Sequence, residues 1–253
     1  KQPMKENYLL NGYLEETNDA YAIAKILGIK MCESYNKQYN TNYKTLLPSN
    51  IFGPNDNYHE LNSHFLAALI KKIHLIKKKE LGKLILWGNG MAKRELLYVD
   101  DMADACIYFM KKQFKESYIN IGTGKDLTIE QYAKKILKII LPRNQIKISF
   151  DTTKPNGMPR KILDIKLASK YGWKAKTNID TAIKKTYISY NHAGLKYVEQ
   201  DLDDYDCNQD GLRAYGNVDI DGHWYGLGSV TDVSGDKGCG SSTVAAGAGY
   251  RTA

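Results

Sequence analysis

The sequence contains no apolar run approaching the roughly 18 residues that a membrane-spanning helix needs. Its lysine-containing start is not followed by the hydrophobic stretch of a secretory leader. Both absences lead to the expectation of a cytoplasmic protein with no membrane partner. Cysteine is scarce: Cys32, Cys106, Cys207 and Cys239 show no metal-ligand spacing. The first two lie inside apolar helical patterns and are expected as packed thiols rather than a disulfide. Initiator methionine is absent, and no strand followed by a glycine-rich turn opens the chain. Gly122-Thr123-Gly124 lacks the third glycine of a dinucleotide fingerprint and is read as the turn after a strand. What is present is an ordinary soluble composition, 253 residues with 43% hydrophobic and 25% charged, enough for one large domain or two small ones.

Basic charge is nearly missing from the last quarter. Residues 191 to 253 hold four basic side chains against ten acidic ones, a net of −6, so that the total of +8 leaves +14 on the rest. Eleven of the 21 glycines fall in the same stretch. Such a break places a boundary near Tyr190 to Gly194, dividing residues 1–190 from an acidic, Gly/Asp-rich tail at 191–253. Within the tail, Asp206, Asn208 and Asp210 followed by Gly211 fit the start of a calcium loop, in which alternating oxygens surround the ion. The twelfth position is Asn217 where a bidentate Glu is required, so the metal assignment is none, with this trio as the weak calcium candidate. Short strands with turns, or a flexible tail, are the alternatives.

The most informative stretch is Tyr21-Ala22-Ile23-Ala24-Lys25. Four residues apart on a helix of about 3.6 residues per turn, Tyr21 and Lys25 project from one face. A phenol titrating near ~10 has its pKa pulled down by a neighbouring ammonium, which makes it a usable proton donor near neutrality. The helix is expected from about Thr17, or Asn18 as N-cap, to Tyr39. Tyr43 to Leu47 reads as a strand leading into the loop Pro48-Ser49-Asn50-Ile51-Phe52-Gly53-Pro54. In a parallel sheet that loop falls where ligands bind.

After a polar loop, a helix starts near His64, a position that suits a capping or surface residue as well as a functional one. Leu84 to Trp87 and Arg94 to Val99 read as two strands joined by a turn, with Asp100 capping a helix from Asp101 to Lys112. Trp87 suits a core position or a ring covering a sugar or base, and Arg94 a surface residue or a bidentate clamp on a diphosphate. Tyr118 to Gly124 is a strand and turn, Thr128 and Gln131 a capping box for a helix to Leu141, and Ile146 to Phe150 a strand. A loop from Asp151 to Lys161 and a helix from Ile179 to Tyr190 follow.

Taken together, Leu14 to Tyr35, Asn57 to His64, the W-G-x-G turn at Trp87, Arg94, the Val99-Asp100-Asp101 helix start and Asp151 to Lys161 resemble the extended short-chain dehydrogenase/reductases. More narrowly they are similar to the GDP-L-fucose synthase family of epimerase-reductases, over about residues 1 to 190. The resemblance implies an α/β fold, the C-terminal part of a Rossmann-type enzyme with its substrate-binding lobe. It implies NADPH-dependent epimerisation and reduction of GDP-4-keto-6-deoxymannose, with a GDP-sugar substrate, no nucleic-acid partner and, for a complete enzyme, a homodimer. Carried over residue by residue, it makes Tyr21, Lys25 and His64 catalytic. It gives cofactor binding to Lys25, Pro48, Ser49, Asn50, Ile51 and His64, and substrate binding to Lys72, Trp87, Arg94, Asn156 and Lys161. That family usually has Arg where Lys72 stands and Asp where Asn156 stands. The glycine-rich phosphate loop and the Ser-x-Cys pair of its first half are absent from these 253 residues. Activity is therefore left open, and the alternative is a non-catalytic interaction protein that uses the acidic tail.

Overall fold

The computed structural model describes residues 1–16, 19–59, 63–143, 145–197 and the short strand pair at 217–218 and 224–225. The expected N-cap at Thr17 or Asn18 and the calcium candidate Asp206, Asn208 and Asp210 lie outside these residues. The chain divides into two compact units, Lys1–Gly12 with Ile29–His192 and Tyr13–Gly28 with Ala193–Ala253.

In chain order the elements are α1 (Asp19–Tyr39), β1 (Thr45–Pro48), β2 (Asn50–Phe52), α2 (Phe65–Lys79), β3 (Lys83–Trp87), β4 (Lys93–Tyr98), α3 (Val99–Lys111) and β5 (Tyr118–Ile121). Then come β6 (Asp126–Thr128), α4 (Ile129–Ile140), β7 (Lys147–Asp151), β8 (Arg160–Lys161), α5 (Lys166–Lys170) and α6 (Ile179–Tyr197). The strand pair at 217–218 and 224–225 is antiparallel. No described helix is long and apolar enough to cross a membrane.

The strand that begins at Thr45 does not stop at Pro48. It changes partner: β1 pairs in parallel with β5, and after Ser49 the chain continues as β2 in parallel with β4. The expected loop from Pro48 to Pro54 is thus a strand through Phe52, with Pro48, which has no N–H to give, at the change of partner. The expected turn-linked strands β3 and β4 do not pair with each other either. β3 pairs in parallel with β7, whereas β4 pairs with β2, β6 and β8. Gly88 and Gly90 hold φ of +67° and +71° in the turn between them, the left-handed region where a Cβ is disfavoured.

Two apolar clusters fill unit one. The larger joins one face of α2 (Leu66, Leu69, Ile70, Ile73, Ile76) to one face of α4 (Tyr132, Ala133, Ile136, Ile140) and to Leu84, Leu86 and Ile183. The spacing of three and four residues on each helix is what one buried stripe requires. Each of these Leu and Ile side chains contributes about 1.5–3 kcal/mol by leaving water. The smaller cluster packs Leu97, Ala105, Phe109, Phe114, Ile119, Ile121 and Trp173. Helix α4 starts as expected, since Thr128 Oγ1 accepts from Gln131 N at 3.1 Å and Gln131 Oε1 accepts from Thr128 N at 2.8 Å.

Helix α3 departs from expectation at its start. Its N-cap is Tyr98, and Asp100 lies in the first turn, where a carboxylate favours the helix dipole without capping it. Its neighbour Asp101 is buried and accepts from Thr177 N and Oγ1, both at 3.0 Å. Cys106, expected as a packed thiol, is exposed on α3, and Cys32 is intermediate.

Residues 2–8 form a strap across unit one. Met4 N donates to Ile162 O at 2.8 Å, Asp164 N donates to Met4 O at 2.8 Å, and Ile162 N donates to Gln2 Oε1 at 2.9 Å. Buried Asn120 gives its N–H to Glu6 Oε1 at 3.0 Å and its side-chain amide to Met4 O at 2.9 Å.

Candidate active site

On α1, Tyr21 and Lys25 share a face, and Lys25 Nζ sits 5.3 Å from the Tyr21 ring centroid. Both belong to unit two. The other candidates belong to unit one.

Strands β1 and β5 end together at Pro48 and Ile121, and Ser49 N donates to Ile121 O at 2.8 Å. Ser49 is 8% exposed, and among the described residues its hydroxyl has no hydrogen-bond partner. A buried hydroxyl without a partner costs free energy comparable to a lost hydrogen bond. At the carboxyl ends of parallel strands, it suits the polar edge of a ligand. Pro48, Asn50 and Ile51 flank it at intermediate burial. His64 is the N-cap residue of α2 in extended conformation; its carbonyl accepts from Ala68 N at 2.8 Å and its side chain does not cap.

The five substrate candidates fall on α2, β3, β4, β8 and the loop after β7. Trp87, at the end of β3, is 63% exposed, so the core alternative for it is set aside. The strand's alternation explains this, since Leu84 and Leu86 turn inward and Lys83, Ile85 and Trp87 outward. Lys72 Nζ lies 5.5 Å from the Trp87 ring centroid and Lys154 Nζ 5.6 Å. Arg94 Nη1 donates to Met158 O at 2.6 Å and to Lys93 O at 2.9 Å, so this guanidinium anchors the loop after β7. Asn156 Oδ1 accepts from Asn89 N at 2.7 Å, which joins the same loop to the turn after Trp87. Lys161 is the register partner of Arg94 on β8, and its neighbour Arg160 is committed to Asp126. That guanidinium, by hydrogen bond first, holds the Asp126 carboxyl below the usual carboxylate range.

Behind this face lies Glu95, 1% exposed, whose Oε1 accepts from Gly124 N and Oε2 from Leu163 N, both at 2.7 Å. Burial raises its carboxyl pKa, against the lowering effect of those N–H groups. A Cβ at Gly122 would collide with the Glu95 carboxylate, so the Gly122-x-Gly124 turn wraps a side-chain anion of its own strand neighbour. Among the described residues, no group of three His, Cys, Asp or Glu side chains is placed to hold a metal ion.

Sequence reasoning missed Lys154 and Glu95. Lys154 stood in a stretch already singled out, but nothing local shows that its ammonium reaches Trp87. Glu95, between Arg94 and Leu96, has the look of a solvated strand position, and its burial depends on Gly124 and Leu163 from elsewhere in the chain.

The sequence profile of the NAD dependent epimerase/dehydratase family matches residues 1–122. GDP-L-fucose synthase of Escherichia coli K12 is 42% identical over 196 residues, covering 74% of this chain and 60% of that protein. GDP-L-fucose synthase of Sinorhizobium fredii is 41% identical over 189 residues, covering 75% and 60%. Among solved structures, a GDP-mannoheptose C4 reductase from Campylobacter jejuni with NADP bound superimposes with a TM-score of 0.66 at 31% identity, covering 76% of this chain and 65% of that one. The chain thus spans about 60% of the length of the curated relatives it matches.

Proposed function

Because the chain belongs, over the portion it shares with these relatives, to the NAD dependent epimerase/dehydratase family with its mixed α/β, Rossmann-like extended short-chain dehydrogenase/reductase fold, we propose that it carries part of an epimerase-reductase acting on a GDP-4-keto-6-deoxy sugar. The observation that carries this reading is the exposed indole of Trp87 with two ammoniums beside it and Arg94 and Lys161 paired on adjacent strands. An aromatic face with two ammoniums beside it suits a ligand that is part ring and part dianion, which is what a nucleoside diphosphate sugar offers. Residues 1–190 are taken as the functional portion, and Lys72, Trp87, Arg94, Asn156 and Lys161 as its substrate contacts.

In the reaction, the sugar's 4-keto group acidifies the protons on its neighbouring carbons; the proton leaves to a cysteine of the Ser-x-Cys pair, which is not among these 253 residues, and His64 returns a proton to carbon in the epimerisation. Tyr21 donates a proton to the C4 oxygen during reduction, with the Lys25 ammonium on the same helix face 5.3 Å from its ring centroid. The cofactor, NADP(H), supplies the hydride. Lys25, Pro48, Ser49, Asn50, Ile51 and His64 are the residues that would hold it, and the buried unpartnered Ser49 hydroxyl fits an amide or hydroxyl group of such a ligand.

A homodimer is part of the same proposal. Met31, Tyr35 and Tyr39, all in unit one, recur every four residues along α1 and are exposed, an apolar stripe suited to a second copy. Sedimentation of the purified protein should then give twice the chain mass, and Met31→Glu with Tyr35→Glu should return it to one. A parent that sediments as a monomer at tens of micromolar removes the dimer.

The direct test of the substrate reading is calorimetric titration of the 253-residue chain with GDP. Binding is expected, with Trp87→Ala at least about tenfold weaker, since aromatic contacts of this kind are worth ~1.5 kcal/mol. Equal affinity of parent and Trp87→Ala would remove Trp87 from the site.

A further inference from the structure

We propose that Lys154 is a further substrate-binding residue of the Trp87 face, its ammonium meeting the diphosphate of the nucleotide sugar together with Lys72. This rests on the reading of that face as the nucleotide-sugar site. Two observations carry it.

The first is charge. Lys154 Nζ and Lys72 Nζ lie 5.6 Å and 5.5 Å from the same indole centroid. One ring quadrupole attracts each ammonium, but the two ammoniums repel one another. A group carrying two negative charges that reaches both ammoniums offsets that repulsion, and the diphosphate diester of a nucleotide sugar is such a group. Asp151, the acidic residue of the same loop, is already engaged, since its Oδ1 accepts from Thr153 N at 3.1 Å and also from the Thr153 hydroxyl.

The second is preorganisation. Lys154 stands on a segment tied down on both sides. Asp151 O accepts from Gly88 N at 2.9 Å, Asn156 Oδ1 from Asn89 N at 2.7 Å, Met158 O from Arg94 Nη1 at 2.6 Å and Pro159 O from Lys93 N at 2.8 Å. Lys154 N itself donates to Asp151 O at 3.3 Å, and Pro155 fixes the next φ. An ammonium carried on a fixed backbone loses less freedom on binding than one on a mobile loop.

The experiment uses the full 253-residue chain and its Lys154→Gln, Lys154→Arg and Lys111→Gln variants, titrated calorimetrically with GDP, GMP and guanosine at several salt concentrations. Lys154→Gln is expected to bind GDP about fivefold more weakly, the upper end for an exposed charge contact. It should also show a shallower dependence of affinity on salt, with guanosine affinity unchanged. Lys154→Arg should restore most of the loss, and Lys111→Gln, on α3, should match the parent. GDP binding by Lys154→Gln equal to the parent at every salt overturns the proposal while leaving the Trp87 site standing. A loss that is equal for GDP and guanosine overturns it too, because the missing contribution is then packing and not charge. Failure of the parent to bind GDP at all removes the substrate reading and this inference with it.

Discussion

Tyr21→Phe is expected to lower the rate of C4 reduction about 10²- to 10⁴-fold with little change in KM for the nucleotide sugar, measured in a form of the protein that carries out the whole reaction. The substitution deletes one hydroxyl and keeps the ring beside Lys25, whose ammonium is 5.3 Å from the ring centroid. Substrate binding therefore loses almost nothing, and the loss falls on the transition state, where the C4 oxygen takes up a proton. His64→Asn is the complementary variant. It should keep reduction and slow the wash-in of solvent deuterium at the two carbons flanking the keto group, followed by NMR. A Tyr21→Phe enzyme with parental turnover would end the assignment of the phenol, and deuterium exchange unaffected by His64→Asn would end that of the imidazole.

Glu95→Ala is expected to destabilise unit one by about 2–3 kcal/mol at neutral pH, read by urea unfolding. Two buried backbone N–H groups, of Gly124 and Leu163, lose their acceptor. Each such loss costs about 1–3 kcal/mol, and relief of the buried carboxylate's own desolvation offsets part of it. The pH dependence is specific. Burial raises the folded-state pKa of Glu95 above its ordinary value of 4.5, so between those two values the folded chain holds a proton that the unfolded chain releases. Its contribution is fully present below pH 4.5 and is lost as pH rises through the folded-state value. The stability difference between parent and Glu95→Ala should therefore be larger at pH 4.5 than at pH 7. A difference that grows with pH would mean that the carboxylate is stabilised as the anion.

How much of this was legible in the sequence depended on how local each signal was. Helix α4 was readable to the residue at its start because Thr128 and Gln131 satisfy each other's backbone three positions apart. Helix α2 was readable from its stripe, and the common face of Tyr21 and Lys25 from their spacing alone. Strand β2 was not, since Pro48, Gly53 and Pro54 read as breakers and three residues carry no period; pairing with β4 makes it a strand. The two- and three-residue strands β8 and β6 exist for the same reason. Asp100 has the right chemistry for an N-cap, but Tyr98, as the last residue of β4, sets where helical dihedrals begin. Trp87, Arg94, Asn156 and Lys161 could be nominated by resemblance to a family, yet their arrangement could not. Gly88 and Asn89 must turn so that Asn156 can accept from Asn89, and that contact spans 67 positions.

The strap at residues 2–8 also governs the order of events during synthesis. Its backbone partners are Ile162 and Asp164, and the amide of Ile162 reaches back 160 positions to Gln2. A ribosome has therefore delivered every strand from β1 to β8 before this strap can be fastened to Ile162 and Asp164. Until then Met4 lacks its two backbone partners, Ile162 O and Asp164 N. Closing so long a loop is slow compared with forming α2 or α4, whose bonds are local.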